Sequence, residues 1–204
     1  MCGIIGYTGR KNAVPVLISG LHSLEYRGYD SAGIAGMDGG AVTCVKAKGR
    51  IANVESLLES RPHELSSHTG IGHTRWATHG APSDENSHPH GTELVYAVHN
   101  GIIENYAELR ERLAGLGYRF RSETDTEAAV CLIDYHYRQT GDPKEALAAA
   151  TRELRGSWAL GVLFADRDGE LYAVRHENPL VAASDETGSY IASDITALLE
   201  HTDR

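Results

Sequence analysis

The apolar positions of this chain come in short bursts whose spacing switches between two periods. Cys2 to Tyr7 is a β-like run. From Ala13 to Tyr26 the period lengthens, and Val14, Leu17, Leu21 and Leu24 fall on one helical face. Small and β-branched residues at Ser31–Met37 and Ala41–Ala47 predict two strands, with hairpin chemistry at Asp38-Gly39-Gly40. Ile51–Ser60 predicts a short helix that stops before Pro62. Thr69–Arg75 and Leu94–Asn100 predict strands. The polar stretch Trp76–Glu93 between them predicts a long loop, a segment type that tends to carry function.

The second half is richer in helices. Asn105 followed by Glu108 predicts a capping-box start, with Tyr106, Leu109, Leu113 and Leu116 as the apolar stripe. Helices are predicted from Thr126 to about Gln139 and from Lys144 to Leu154, the latter ended by Gly156. Three or four short strands fill Ser157–Ser193, and Asp194 caps a terminal helix over Ile195–His201. Strands and helices come in blocks rather than in strict alternation. That favours antiparallel sheets with helices outside, an α+β layered domain.

The chain has 204 residues, the length of one domain with a full-sized core. Its formal net charge of −9 and lack of Lys/Arg runs argue against a nucleic-acid or anionic-membrane partner. No apolar run approaches the ~20 residues that span a bilayer. The start has no secretory pattern, and three cysteines give no disulfide framework. A cytoplasmic setting is expected. No GxGxxG or Walker loop is present, so no nucleotide site is expected.

Chemistry concentrates at a few positions. Cys44 and Cys131 read as small buried hydrophobes. Cys2 differs, because removal of Met1 would leave its thiol beside a free α-amine. An α-amine (~7.7–8.0) and a thiol (~8.5) have similar reference pKa values, so the amine can take the thiol proton and return it. A retained Met1 would tie that amine up in a peptide bond. Gly3 and Gly6 are expected to leave room for a substrate near the backbone.

Arg75, at a predicted strand end, is able to grip a carboxylate in a bidentate fork. It reads equally well as a surface arginine, with Trp76 a core aromatic. Asn100-Gly101 fits an oxyanion hole, and equally a turn. In Ser122-Glu123-Thr124-Asp125-Thr126 a carboxylate is available for a substrate ammonium; helix capping explains the same residues. His79 and His88-Pro89-His90 lack a known zinc spacing, so no metal is expected.

Taken together, several segments closely resemble the class II glutamine amidotransferases, a branch of the N-terminal nucleophile hydrolases. They are Met1-Cys2-Gly3-Ile4-Ile5-Gly6, Leu24-Glu25-Tyr26-Arg27-Gly28-Tyr29-Asp30-Ser31-Ala32-Gly33 and Gly72-His73-Thr74-Arg75-Trp76-Ala77-Thr78-His79-Gly80. Further on come His88-Pro89-His90, Val98-His99-Asn100-Gly101-Ile102-Ile103-Glu104-Asn105, Ser122-Glu123-Thr124-Asp125-Thr126-Glu127 and Leu154-Arg155-Gly156-Ser157-Trp158-Ala159. Tyr26-Arg27-Gly28-Tyr29-Asp30 and Arg75-Trp76-Ala77-Thr78 resemble the branch that aminates fructose 6-phosphate more than the phosphoribosyl-aminating or asparagine-forming branches.

The resemblance implies a four-layer αββα sandwich spanning residues 1–204. It implies hydrolysis of L-glutamine with Cys2 as nucleophile, its amine as base, and Asn100 and Gly101 as oxyanion donors. Arg75 would hold the α-carboxylate and Asp125 the α-ammonium, with Thr78, His79 and His88 in the same pocket. Trp76 would belong to a loop that closes over glutamine and communicates with a partner domain. No metal or cofactor is implied. Members of this branch carry two sugar-phosphate isomerase domains after this one, and the present sequence stops at Thr202-Asp203-Arg204. Two other readings are a glutaminase for another acceptor, amidophosphoribosyltransferase-like, and a non-catalytic glutamine sensor.

Overall fold

A computed structural model describes residues 2–60 and 66–201; Met1, Pro62 and the last three residues lie outside the described residues. Among the described residues ten strands form two sheets, and every strand pairing within them is antiparallel. The first sheet contains β1 (Gly3–Gly9), β2 (Ser31–Asp38), β3 (Ala41–Lys48), β4 (Thr69–Arg75), β9 (Val181–Ser184) and β10 (Gly188–Ala192), in the order β3-β2-β4-β1-β10-β9. The second contains β5 (His90–Gly91), β6 (Val95–Ile103), β7 (Gly156–Phe164) and β8 (Tyr172–His176), in chain order.

Three apolar clusters give the layering. α1 (Ala13–Leu24) and α2 (Ile51–Ser60) bury Leu17, Leu21, Leu24 and Val54 against Ile5, Tyr7 and Ile34 of the first sheet. Ile4, Ile71, Val98, Ala159 and Leu163 fill the layer between the sheets. α3 (Tyr106–Gly115), α4 (Asp125–Thr140) and α5 (Pro143–Glu153) cover the far face of the second sheet through Leu109, Leu113, Leu132, Ile133 and Leu147. The order is helix, sheet, sheet, helix: the α+β layering that the element pattern predicts and the four-layer αββα sandwich that the resemblance implies.

Local rules account for most element ends. Asn12 caps α1 by accepting from the Val14 N–H at 3.0 Å. Asp142 caps α5 with Pro143 in its first turn, and Gly141 ends α4 in the left-handed region at φ 65°. The β2–β3 hairpin turns on Gly39 and Gly40, both with positive φ.

Several expectations fail for tertiary reasons. Asn105 does not cap α3 with its side chain, and Glu108 forms no capping box. The Asn105 amide instead donates to the Glu153 carbonyl at 2.9 Å and accepts from the Arg155 N–H at 3.0 Å, tying α3 to the end of α5. Leu116 lies past the helix end and is exposed. The terminal helix shrinks to a 3₁₀ turn, Ile195–Ala197, although Asp194 does cap it. β6 runs three residues beyond Asn100, because Gly101 takes φ 120° without leaving the ladder. Cys44 is exposed on β3, a strand at the sheet edge, whereas Cys131 is buried as expected. The space beside Gly3 and Gly6 is filled by the protein itself: a Cβ there would meet Leu24 and Thr74, or Ile191.

Candidate active site

The register of the central strands sets up the site. β1 pairs with β4 so that Gly3 lies opposite Thr74, which places Cys2 at the Arg75–Trp76 end of β4. The Cys2 sulfur accepts from the Trp76 N–H at 3.2 Å and lies 3.5 Å from the Trp76 carbonyl. From the second sheet, β6 delivers Asn100, whose Nδ2 donates to the Cys2 carbonyl at 3.0 Å. The first turn of α4 adds Asp125. One cavity is lined by Cys2, Arg75, Trp76, Thr78, His88, His99, Gly101 and Asp125 together with Thr124 and Thr126.

The polar groups of this wall are incompletely satisfied. Arg75 is buried, not a surface residue, with 3% of its surface exposed. Its Nη2 donates to the carbonyls of His79 and Gly80, while Nη1 is buried without a partner among the described residues. Burying a charged donor unpaired is costly. Asp125 accepts the Ile103 N–H through Oδ2 at 2.9 Å. The cap of α4 is the neighbouring Thr124, which accepts from the Glu127 N–H. Helix capping therefore falls on Thr124, and the Asp125 carboxylate is left in the cavity wall.

Trp76 is not a core aromatic but is about half exposed, edge-on to Tyr29 at 5.7 Å between ring centres. His79 stands just outside the cavity wall, its Nδ1 3.9 Å from Asp125 Oδ2 and its ring against Tyr106. Thr78 and His88 line the cavity directly.

Residues that the sequence analysis quoted in a motif but gave no role hold the wall in place. Asp30 brackets Trp76: its N–H donates to the Arg75 carbonyl at 3.0 Å, and its Oδ2 accepts from the Ala77 N–H at 2.9 Å. Gly28 lets this turn sit close, since a Cβ there would come within 2.7 Å of the Arg75 carbonyl carbon.

Behind the cavity, backbone groups that can only donate or only accept fix three tautomers. The His99 N–H donates to His88 Nδ1 at 3.4 Å, so a neutral His88 carries its proton on Nε2. That N–H faces Thr126 Oγ1 at 3.2 Å, and the Thr126 hydroxyl turns to His99 Nδ1 at 2.9 Å. His99 then carries its proton on Nε2, buried and unpartnered among the described residues. In the same way the His99 carbonyl, 2.9 Å from His73 Nε2, puts the His73 proton on Nε2.

Burial pushes the pKa of His73 down to about 3, and those of His88 and His90 well below the ordinary value. It lowers His99 as well, against the nearby Asp125 carboxylate. In the unfolded chain these rings take up protons below about pH 6.5, whereas in the folded chain they do not. Stability is therefore full above that pH and falls as pH drops toward 3, by ~1.4 kcal/mol per pH unit for each ring that stays neutral. Urea unfolding at pH 7, 6 and 5 is expected to show a steep loss that begins above the carboxylate range. A flat profile between pH 7 and 5 would contradict neutral rings.

Burial also raises the Cys2 thiol above its ordinary pKa, opposed by the Trp76 N–H and the Arg75 charge. At neutral pH the sulfur is a thiol that needs a base to attack. The cavity is about 10 Å³, room for one water at most. A cavity of that size is smaller than an amino acid. Among the described residues no group of three or more His, Cys, Asp or Glu is placed to hold a metal, and no helix is long and apolar enough to cross a membrane.

Two antiparallel sheets stacked between helices, with a cysteine leading a central strand, make the architecture of the N-terminal nucleophile hydrolases, the class this fold defines. Residues 73–200 match the family model described as the glutamine amidotransferase domain. The glutamine–fructose-6-phosphate aminotransferase (isomerizing) of Clostridium perfringens is 52% identical over 99% of this chain and 33% of its own length. The protein of the same name from Thermus thermophilus is 48% identical over the whole chain and 33% of its length. Among solved structures, the Bacillus subtilis glutamine phosphoribosylpyrophosphate amidotransferase superposes with a TM-score of 0.80 at 26% identity, over 97% of this chain and 43% of that one. The chain belongs to the glutamine amidotransferase domain family. It spans about a third of the length of the curated relatives it matches.

Proposed function

We propose that, once Met1 is removed, this domain hydrolyses L-glutamine to glutamate and ammonia through a thioester on Cys2. The observation that carries this reading is the shared cavity of a thiol, an unpaired buried guanidinium nitrogen and a buried carboxylate. Glutamine offers groups that match all three: an amide carbon, an α-carboxylate and an α-ammonium.

The Cys2 α-amine takes the thiol proton as sulfur attacks the δ-amide carbon. The oxyanion forms against the Asn100 amide and the Gly101 N–H, a type of donor worth ~3–4 kcal/mol each in comparable sites. The amine then protonates the leaving nitrogen, the C–N bond breaks, and ammonia departs. Water, deprotonated by the same amine, cleaves the γ-glutamyl thioester to glutamate and free thiol. Arg75 and Asp125 select a free amino acid over a peptide amide by meeting both charged ends. Thr78 and His88 line the pocket, and His79 stands beside Asp125 just outside it.

We assign residues 1–204 to one glutaminase domain. Relatives 48% and 52% identical across the chain favour fructose 6-phosphate as the final acceptor. Sugar-phosphate isomerase domains of a longer protein would receive the ammonia there and form glucosamine 6-phosphate, in a cytoplasm that keeps the thiol reduced.

The test uses 6-diazo-5-oxo-L-norleucine, a glutamine mimic that alkylates an activated thiol with loss of nitrogen. Intact and peptide mass spectrometry are expected to show Met1 absent and a single adduct on Cys2, with glutamine protecting against it. Adducts spread over Cys2 and Cys44 without protection, or an inert Cys2 on a free amino terminus, would overturn the reading.

A further inference from the structure

We propose that His73 is a positioning residue for the oxyanion hole: it holds the Asn100 carboxamide with its N–H turned toward Cys2. The proposal rests on the glutaminase reading and adds a residue to it. His73 lies in the middle of β4, opposite Ile4 of β1, and its ring crosses the apolar layer between the sheets to β6. Its Nε2 is 2.9 Å from the His99 carbonyl and 3.0 Å from Asn100 Oδ1. A carbonyl only accepts, so this nitrogen bears the proton, and the Asn100 atom facing it must be the oxygen.

The carboxamide has one orientation left. Its Nδ2 faces the Cys2 carbonyl at 3.0 Å and keeps a second N–H for a developing oxyanion. Rotated by half a turn, the amide would set N–H against N–H at His73 and aim its oxygen at the oxyanion. Burial holds the ring neutral, with a pKa near 3, so the donor is constant over the working pH range.

The ring's other nitrogen supplies an independent observation. Nδ1 is fully buried without a partner among the described residues, where the His88 ring stacks at 4.1 Å. An unsatisfied buried nitrogen destabilises the fold. An apolar side chain would fill this layer without that cost, so the donor on Nε2 is what the position requires.

The experiment is a double-mutant cycle on the processed protein, His73→Leu and Asn100→Ala, read as glutamate formation. Asn100→Ala alone is expected to lower kcat by about 10²–10³-fold, and His73→Leu by roughly 10- to 100-fold, part of one donor's effect. In the double variant, loss of His73 should add less than about 3-fold, since it acts only through Asn100. Alkylation of Cys2 by iodoacetamide, which forms no oxyanion, and the affinity for glutamate should stay unchanged in His73→Leu. His73→Gln, whose amide reaches the Nε2 position, should recover most of the turnover, and the shorter His73→Asn should not.

Additive losses in the cycle would overturn the proposal, as would alkylation or glutamate binding falling in step with turnover. If His73→Leu fails to fold, the Gln and Asn variants decide it: equal turnover in both counts against His73. A processed wild-type protein inert toward glutamine would sink the glutaminase reading itself.

Discussion

Cys2→Ala is expected to abolish glutamate and ammonia formation, lowering kcat by about 10⁴-fold or more, as loss of a nucleophile does in acyl-transfer enzymes. Glutamine binding should survive, because the proposed grip on its charged ends comes from Arg75 and Asp125 and not from sulfur. The sulfur also touches both the N–H and the carbonyl of Trp76, so Ala releases the segment that walls the cavity there. Calorimetry is expected to give a glutamine affinity equal to or tighter than that of the wild type, together with silent chemistry. An Ala variant that keeps turnover would remove Cys2 from the mechanism. A variant that loses binding along with turnover would show that sulfur, or the loop it pins, forms part of the grip.

Much of this site was legible because its residues sit at strand ends and at a helix start, where turn chemistry interrupts the periodic pattern. Cys2 leads β1, Arg75 ends β4, and Asp125 opens α4. Their convergence was not legible from periodicity, which carries no information on which strands pair; that expectation came from the resemblance. His73 and Asp30 went unread for a related reason. β4 is buried on both faces, so a histidine in its middle breaks no visible alternation. Asp30 sits in a turn, where an aspartate needs no special explanation, and its link to Ala77 spans a distant part of the chain. The failures follow the same logic. Asn105 looks like a cap in sequence but spends its amide on Glu153 and Arg155, which only the fold brings near. The residues after Asp194 have a helical pattern, yet Ile195 and Leu199 stay exposed, and an apolar face left unburied does not hold a helix.

Arg75 is expected to give the second largest loss because its two nitrogens do different work. Nη2 ties down the His79 and Gly80 carbonyls, and the unpaired Nη1 is the nitrogen proposed to hold the substrate carboxylate. Arg75→Ala removes both, and with them the positive charge that acts on the Asp125 carboxylate. Truncating one partner of a buried charge pair costs about 2–5 kcal/mol, so kcat/KM should fall by ~10²–10³-fold through binding alone. The loosened loop should then lower kcat as well. Arg75→Lys separates the two roles. A lysine keeps the charge but not the planar fork, so it cannot hold the loop carbonyls and the carboxylate together. KM for glutamine should rise about 10- to 100-fold in Arg75→Lys, the equivalent of one charge-assisted hydrogen bond. γ-Glutamyl substrates whose α-carboxylate is amidated should be turned over equally poorly by wild type and Arg75→Lys. Steady-state kinetics on both substrates decide the matter: if the lysine variant discriminates against the amidated substrate as strongly as the wild type, the α-carboxylate is held elsewhere and the cavity has been read in the wrong orientation.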